Sequence, residues 1–142
     1  RRDHMLMVLP TGHPAAKRSR WLEGCHYPYL DLHHVEQETF YMLEEGRTIR
    51  TVADKALRHT GIAPHKVCLV SNIELGCQMA AEGLGVAFTM ESYRREFDYP
   101  HPVSYFRVGD PDFFLTWNLI WRKDAFCSTY MDDFIQLLKQ FA

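Results

Sequence analysis

The sequence lacks any apolar run near the roughly 18 residues that cross a bilayer, and its first residues do not follow the charged-then-apolar order of a secretory signal. A cytoplasmic protein with no membrane contact is the expectation. Charge of one sign is also lacking: the formal net charge is -2, and the sixteen Lys and Arg are scattered apart from the short Lys17-Arg18-Ser19-Arg20 cluster, which reads as a solvated loop. Global attraction to nucleic acid or to anionic lipid is therefore excluded. Paired cysteine spacing is missing as well. Cys25, Cys68, Cys77 and Cys127 form no C-x2-C unit, and three of them fall in apolar patterns where a reduced thiol acts as a small hydrophobe, so no disulfide is expected.

What is present is a core. With 142 residues, 46% hydrophobic and 24% charged, the chain has the composition and length of one soluble globular domain. Its elements alternate. Met5 to Leu9 is a continuous apolar run closed by Pro10, Gly12 and Pro14, which suits a strand buried on both faces. Only four residues precede this run and the first is Arg, so the chain reads as a C-terminal piece of something longer. Thr39 to Leu43 reads as a strand, and Ile49, Val52, Ala53, Ala56 and Leu57 as one helical stripe stopped by Gly61. Lys66 to Val70 is the next strand. Ser71 stands three residues before Glu74 in a capping-box pattern, and opens a helix whose stripe is Ile73, Cys77, Ala80, Ala81 and Leu84. Strands are expected at Val86 to Thr89, Val103 to Val108 and Leu115 to Trp121, with a short helix from Glu91 to Phe97. A helix from about Ser128 ends the chain, with Tyr130, Met131, Phe134, Ile135, Leu138 and Phe141 on its buried side.

Gly83-Leu84-Gly85 has the look of a phosphate loop but the wrong direction. Phosphate loops run from a strand into a helix N-terminus, whereas these glycines run from a helix into a strand, beside the negative end of the helix dipole. No third glycine and no Lys-Ser/Thr follows. The segment is a turn.

That turn carries a resemblance. Val70 to Glu74, together with Met79 through Phe88, resembles the effector-binding domain of LysR-type transcriptional regulators, in which a helix ends in a Gly-x-Gly turn entering a strand. Met7 through Ala16, with its Leu-Pro and His-Pro pairs, and Phe40 through Arg50 with Asp54 and Gly61 to Pro64, match two further segments of that family in the same order and spacing. Met90 departs from the pattern, where many members have proline. The resemblance covers nearly the whole chain. It implies an α/β fold like the type 2 periplasmic binding proteins, mainly the second lobe with crossing strands and the terminal helix of an incomplete first lobe. Residues 1–9 would be one crossing strand, residues 10–116 the second lobe, and residues 117–142 the return strand and C-terminal helix. The strand at Met5 to Leu9 and the terminal helix would then present apolar surface to the missing half.

The same resemblance implies a small-molecule effector held in an interlobe cleft, a homo-oligomer, and operator DNA bound only through an N-terminal winged helix-turn-helix that these residues do not include. No cofactor is implied. The effector-binding candidates are Leu43, Glu44, Glu45, Gly46, Arg47 and Thr48, with Thr89 and Asn118 by position. A helix start supplies N–H groups and partial positive charge, to which Arg47 and the Thr48 hydroxyl add donors for a carboxylate. Glu44 and Glu45 oppose that preference and favour an effector bearing a cation, unless both lie in the first helical turn and face solvent.

Competing chemistries have less support. Cys25, His26, His33 and His34 lie within ten residues, but adjacent side chains of an extended chain point oppositely and no zinc-ligand spacing is matched, so a histidine-rich surface loop is the reading and no metal is expected. No Gly-x-Ser-x-Gly or paired His/Asp arrangement sits at a strand end, and a non-enzyme is expected. A transport solute-binding protein is the alternative to a regulator, since the scaffold serves both.

Overall fold

The structure, a computed structural model, describes residues 2–95, 98–109, 113–122 and 128–140. Its elements are β1 (Arg2–Pro10), β2 (Thr39–Leu43), α1 (Thr48–Thr60), β3 (Lys66–Val70), α2 (Ile73–Ala81), β4 (Val86–Met90), β5 (Val103–Arg107), β6 (Phe114–Thr116) and α3 (Thr129–Gln140), with short 3-10 helices at Pro14–Arg18, Leu32–Val35 and Glu91–Arg95. Phe97, Cys127 and Phe141 lie outside the described residues.

Six strands form one mixed sheet in the order β3-β2-β4-β1-β5, with β6 added to β1. β2 pairs in parallel with both β3 and β4, while β1 runs antiparallel to β4, β5 and β6. The side chains of β1 alternate between two clusters. Met5, Met7 and Leu9 join Phe40, Val86 and Phe88 under α1, and Val8 joins Ala87, Cys77 and Ala80 under α2. A helix on each face is what makes an uninterrupted apolar strand possible, because both sides of the pleat are covered. β1 therefore presents no free apolar face: Met5 through Leu9 are 0–1% exposed.

α1 buries Ile49, Val52, Ala53, Ala56 and Leu57 and ends on Gly61 in the left-handed conformation. Its N-cap is Arg47, so Glu44 and Glu45 fall in the preceding turn rather than in the helix. α2 is capped by Asn72 rather than Ser71: the Asn72 side-chain Oδ1 accepts the Leu75 N–H at 2.8 Å. The capping-box spacing from Ser71 to Glu74 thus marks the right place one residue early.

The Gly-Leu-Gly segment terminates α2. The Gly83 N–H donates to Ala80 and the Leu84 N–H to Met79, with Gly83 at φ 73°, so these amides satisfy the helix's last carbonyls. Gly85 serves close packing instead, since a Cβ there would overlap the Thr39 carbonyl at the start of β2.

At the C-terminal end one expected strand is shorter than the sequence indicates and the expected helix forms without cover. The strand expected over Leu115 to Trp121 is only Phe114–Thr116, whose register pairs Thr116 with Arg2; positions 117–121 form no strand pairing among the described residues. α3 forms, with the Ser128 hydroxyl accepting the Met131 N–H, but none of its residues is buried. Tyr130 and Phe134 are exposed, while Met131, Ile135 and Leu138 are half-buried. No described element covers the stripe that the sequence pattern assigns to a core.

Gly85→Ala should destabilise the fold by about 2 kcal/mol or more, because the backbone on both sides of the contact is held in the sheet. Asn72→Ala should cost about 1 kcal/mol through the lost cap. Urea denaturation of both variants tests the contrast, and equal losses would show that Gly85 is not a close-packing position.

Candidate functional site

Parallel strands that alternate with helices bring their carboxyl ends and the following helix N-termini to one end of the sheet, the usual place for ligands in α/β folds. Here β2 delivers Leu43, and the turn after it leads into α1 through Gly46, Arg47, Thr48 and Ile49. α2 begins beside it at Ile73. β4 ends at Met90 and passes directly into Glu91–Arg95, which brings in Tyr93. Because β1 is antiparallel to β4, its beginning lies at the same end, and β6 comes with it, adding Leu115, Thr116 and Trp117.

These ten residues enclose a cavity of about 450 Å³, within the range of small-ligand pockets. One wall is apolar, from Leu43, Ile49, Ile73 and Leu115. The other feature is the start of α1, whose N-cap Arg47 makes no side-chain cap hydrogen bond. The opening N–H groups of that helix, with their partial positive charge, border the cavity beside the Thr48 hydroxyl. Arg50 shapes this rim from behind: its guanidinium donates to the Leu43 carbonyl at 2.7 Å and to Asp54 at 2.8 Å.

Of the residues singled out in the sequence, Leu43, Gly46, Arg47 and Thr48 line the cavity. Glu44 and Glu45 are exposed and outside its lining; Glu45 points toward Arg50 at 4.0 Å. Thr89 is buried on the opposite face of the sheet, where its hydroxyl adjoins the Cys77 thiol, because strand alternation sends positions 87 and 89 toward α2. Asn118 is exposed and donates to the Thr116 carbonyl at 3.3 Å. Ile49 and Ile73 are lining residues that periodicity assigns to core stripes; their place in the first turn of each helix was the available signal. Tyr93, Leu115, Thr116 and Trp117 gave no local signal, since the antiparallel pairing of β1 with β4 and with β6 brings them to this end of the sheet.

The histidine-rich stretch is not gathered into a ligand set. His33 Nδ1 contacts Asp31 at 2.8 Å and His34 Nδ1 lies 3.4 Å from Arg18. Among the described residues no three His, Cys, Asp or Glu side chains converge as metal ligands. Nor is any described helix long and apolar enough to cross a membrane.

A mixed sheet with a helix on each face and a cleft at the carboxyl ends of its parallel strands defines a ligand-binding α/β domain of the periplasmic-binding-protein-like class. The chain belongs to the LysR substrate binding domain family, whose model matches residues 1–142. Similar solved structures include the BenM effector binding domain with its effector benzoate, at 16% identity and TM-score 0.69, covering 99% of this chain and 60% of that one. HinK, a LysR family transcriptional regulator from Pseudomonas aeruginosa, is similar at 19% identity and TM-score 0.68, covering 99% and 46%. The effector binding domain of QuiR in complex with shikimate gives 15% and 0.64, covering 99% and 61%. The chain thus spans roughly half the length of the structures it resembles. No curated protein matches the sequence significantly.

On the far side of the sheet, burial pushes the Cys77 thiol up to about 11, against a smaller opposing influence of the neighbouring Tyr99 and Thr89 hydroxyls. A thiol whose folded value is raised contributes stability in full below its unfolded value of 9.0, and this is lost as the pH rises through 11. Alkylation at pH 8 should therefore spare Cys77 in the folded protein and label it only on unfolding. Peptide mapping after iodoacetamide treatment, with and without urea, checks this. Rapid native labelling would show that the thiol is not sealed under α2.

Proposed function

We propose that the chain is the effector-sensing part of a LysR-type DNA-binding transcriptional regulator, in which a small metabolite enters the cleft and alters the geometry of a DNA-bound homo-oligomer. The observation that carries this reading is the cavity at the uncapped start of α1, in a chain belonging to the LysR substrate binding domain family. Leu43, Gly46, Arg47 and Thr48 hold the ligand's polar end, and Ile49, Ile73, Tyr93 and Leu115 its apolar body.

The ligand class follows from the charges at the rim. A cation-bearing effector is favoured only if Glu44 and Glu45 face the site, and both stand outside its lining. What remains is a helix N-terminus, a hydroxyl and a guanidinium-bearing residue over an apolar wall, which suits a small carboxylate with a hydrophobic or ring-shaped body. Benzoate, bound by the BenM domain, and shikimate, bound by the QuiR domain, are both of that kind and are the natural first probes.

DNA contact is assigned to a winged helix-turn-helix outside these residues. Within the described elements α1 and α2 are separated by β3, so they form no helix-turn-helix. The half-exposed apolar stripe of α3 fits a helix that returns to a further lobe, as the division at residues 10–116 and 117–142 implies.

A thermal-shift screen of carboxylates, amines and neutral metabolites tests the reading. A carboxylate at a hundredfold excess over its dissociation constant adds about 2.7 kcal/mol to stability and raises Tm accordingly. Thr48→Ala and Arg47→Ala should each weaken that response, whereas Glu44→Gln with Glu45→Gln should leave it within twofold. A response confined to amines, or none across the panel, would overturn the assignment.

A further inference from the structure

Asp3 is a carboxylate placed where an apolar residue would be easier to bury. It is 1% exposed, near the beginning of β1, and accepts three hydrogen bonds: from the Ser92 N–H at 3.0 Å, the Ser92 hydroxyl at 2.6 Å and the Trp117 indole Nε1 at 3.1 Å. Its backbone stands opposite Leu115 in the pairing of β1 with β6. Three segments distant in sequence therefore meet on one residue.

The partners of Asp3 are not scattered. Ser92 precedes Tyr93, and Trp117 follows Leu115 and Thr116; Tyr93, Leu115, Thr116 and Trp117 are the cavity's lining on the side away from the helix N-termini. Neither Ser92 nor Trp117 lies in a strand or an α-helix, and β6 is only three residues long. Regular backbone pairing alone gives this wall little support. A buried carboxylate needs its acceptor sites filled, so loss of one donor leaves a costly vacancy that the remaining partners must shift to relieve.

From this we infer that Asp3 is a positioning residue of the ligand site, a single carboxylate that couples the Tyr93 side of the wall to the Trp117 side and ties both to β1. The inference rests on the cavity being the ligand site. A ligand that displaces either side chain is then felt by the other and by the central strand, without contacting Asp3 itself.

The coupling is measurable without any ligand. The sequence holds three tryptophans, so the Trp117 indole N–H is assignable in a nitrogen–proton correlation spectrum by comparison with Trp117→Phe. Ser92→Ala should shift the Trp117 indole resonance and speed its hydrogen exchange, and Trp117→Phe should shift the Ser92 and Tyr93 amides. In an Asp3→Asn background each effect should largely vanish, while Asp3→Asn itself should speed Trp117 indole exchange about tenfold. If Ser92→Ala leaves the Trp117 indole unmoved and Trp117→Phe leaves the Ser92 amide unmoved, the two contacts are independent and the inference is overturned, whether or not Asp3→Asn folds. Benzoate and shikimate titrations of the wild-type chain and Ser92→Ala supply the second arm. Should neither bind the wild type, the carboxylate-site reading loses support while the spectra still decide the coupling; should one bind both proteins with equal affinity, Asp3 does not position the site.

Discussion

Everything at the cavity end of this molecule depends on the direction of β1. Had the central strand run parallel to β4, its beginning would lie at the far end of the sheet, and β6 with Trp117 would follow it there. Because it is antiparallel, its N-terminal residues lie beside the carboxyl end of β4, at the same end of the sheet as those of β2 and β3, and the cavity gains a wall that the βαβ units alone do not supply. Burial locks that direction in place. With Met5, Met7 and Leu9 under α1 and Val8 under α2, a slip of one residue would exchange the two sets between clusters of different size.

The two sides of the cavity consequently differ in how firmly they are held. The helix side is built from the first turns of α1 and α2, each anchored by a buried stripe and, at the rim, by Arg50 bonded to the Leu43 carbonyl. The opposite side hangs on a three-residue strand and one carboxylate. The more weakly held side is also the one joined to the central strand, through Asp3.

Local chemistry made much of this legible in the sequence. β2 and β3 have the bounds their apolar runs indicate, and Gly61 and Gly83 stop their helices because a left-handed residue is needed after the last turn. The cavity's helix side was readable for the same reason: the residues between a parallel strand and the next helix are contiguous. Its other side was not, since Leu115 and Trp117 reach the site through pairing with residues more than a hundred positions away, and Tyr93 through the pairing of β4 with β1. Thr89 and the two glutamates show the complementary limit. Their sequence position is adjacent to the site, but strand alternation turns Thr89 to the α2 face and the turn before α1 leaves Glu44 and Glu45 outside the lining.

α3 shows where periodicity loses its meaning. A helix stripe records that a face is apolar, not what covers it, and the stripe on α3 is as regular as that on α1. α1 lies over a sheet whose Phe40, Phe88 and Met7 fill its grooves, so its stripe becomes core. No described element packs over α3, and Trp117, Leu119, Ile120 and Trp121 likewise lie outside the strands with their side chains largely exposed. Trp117, the first residue after β6, nevertheless places its indole on Asp3. Trp117 is thus exposed on one side and bonded to Asp3 on the other, and because it also lines the cavity, the uncovered apolar segment that begins with it is joined to the wall that Asp3 holds.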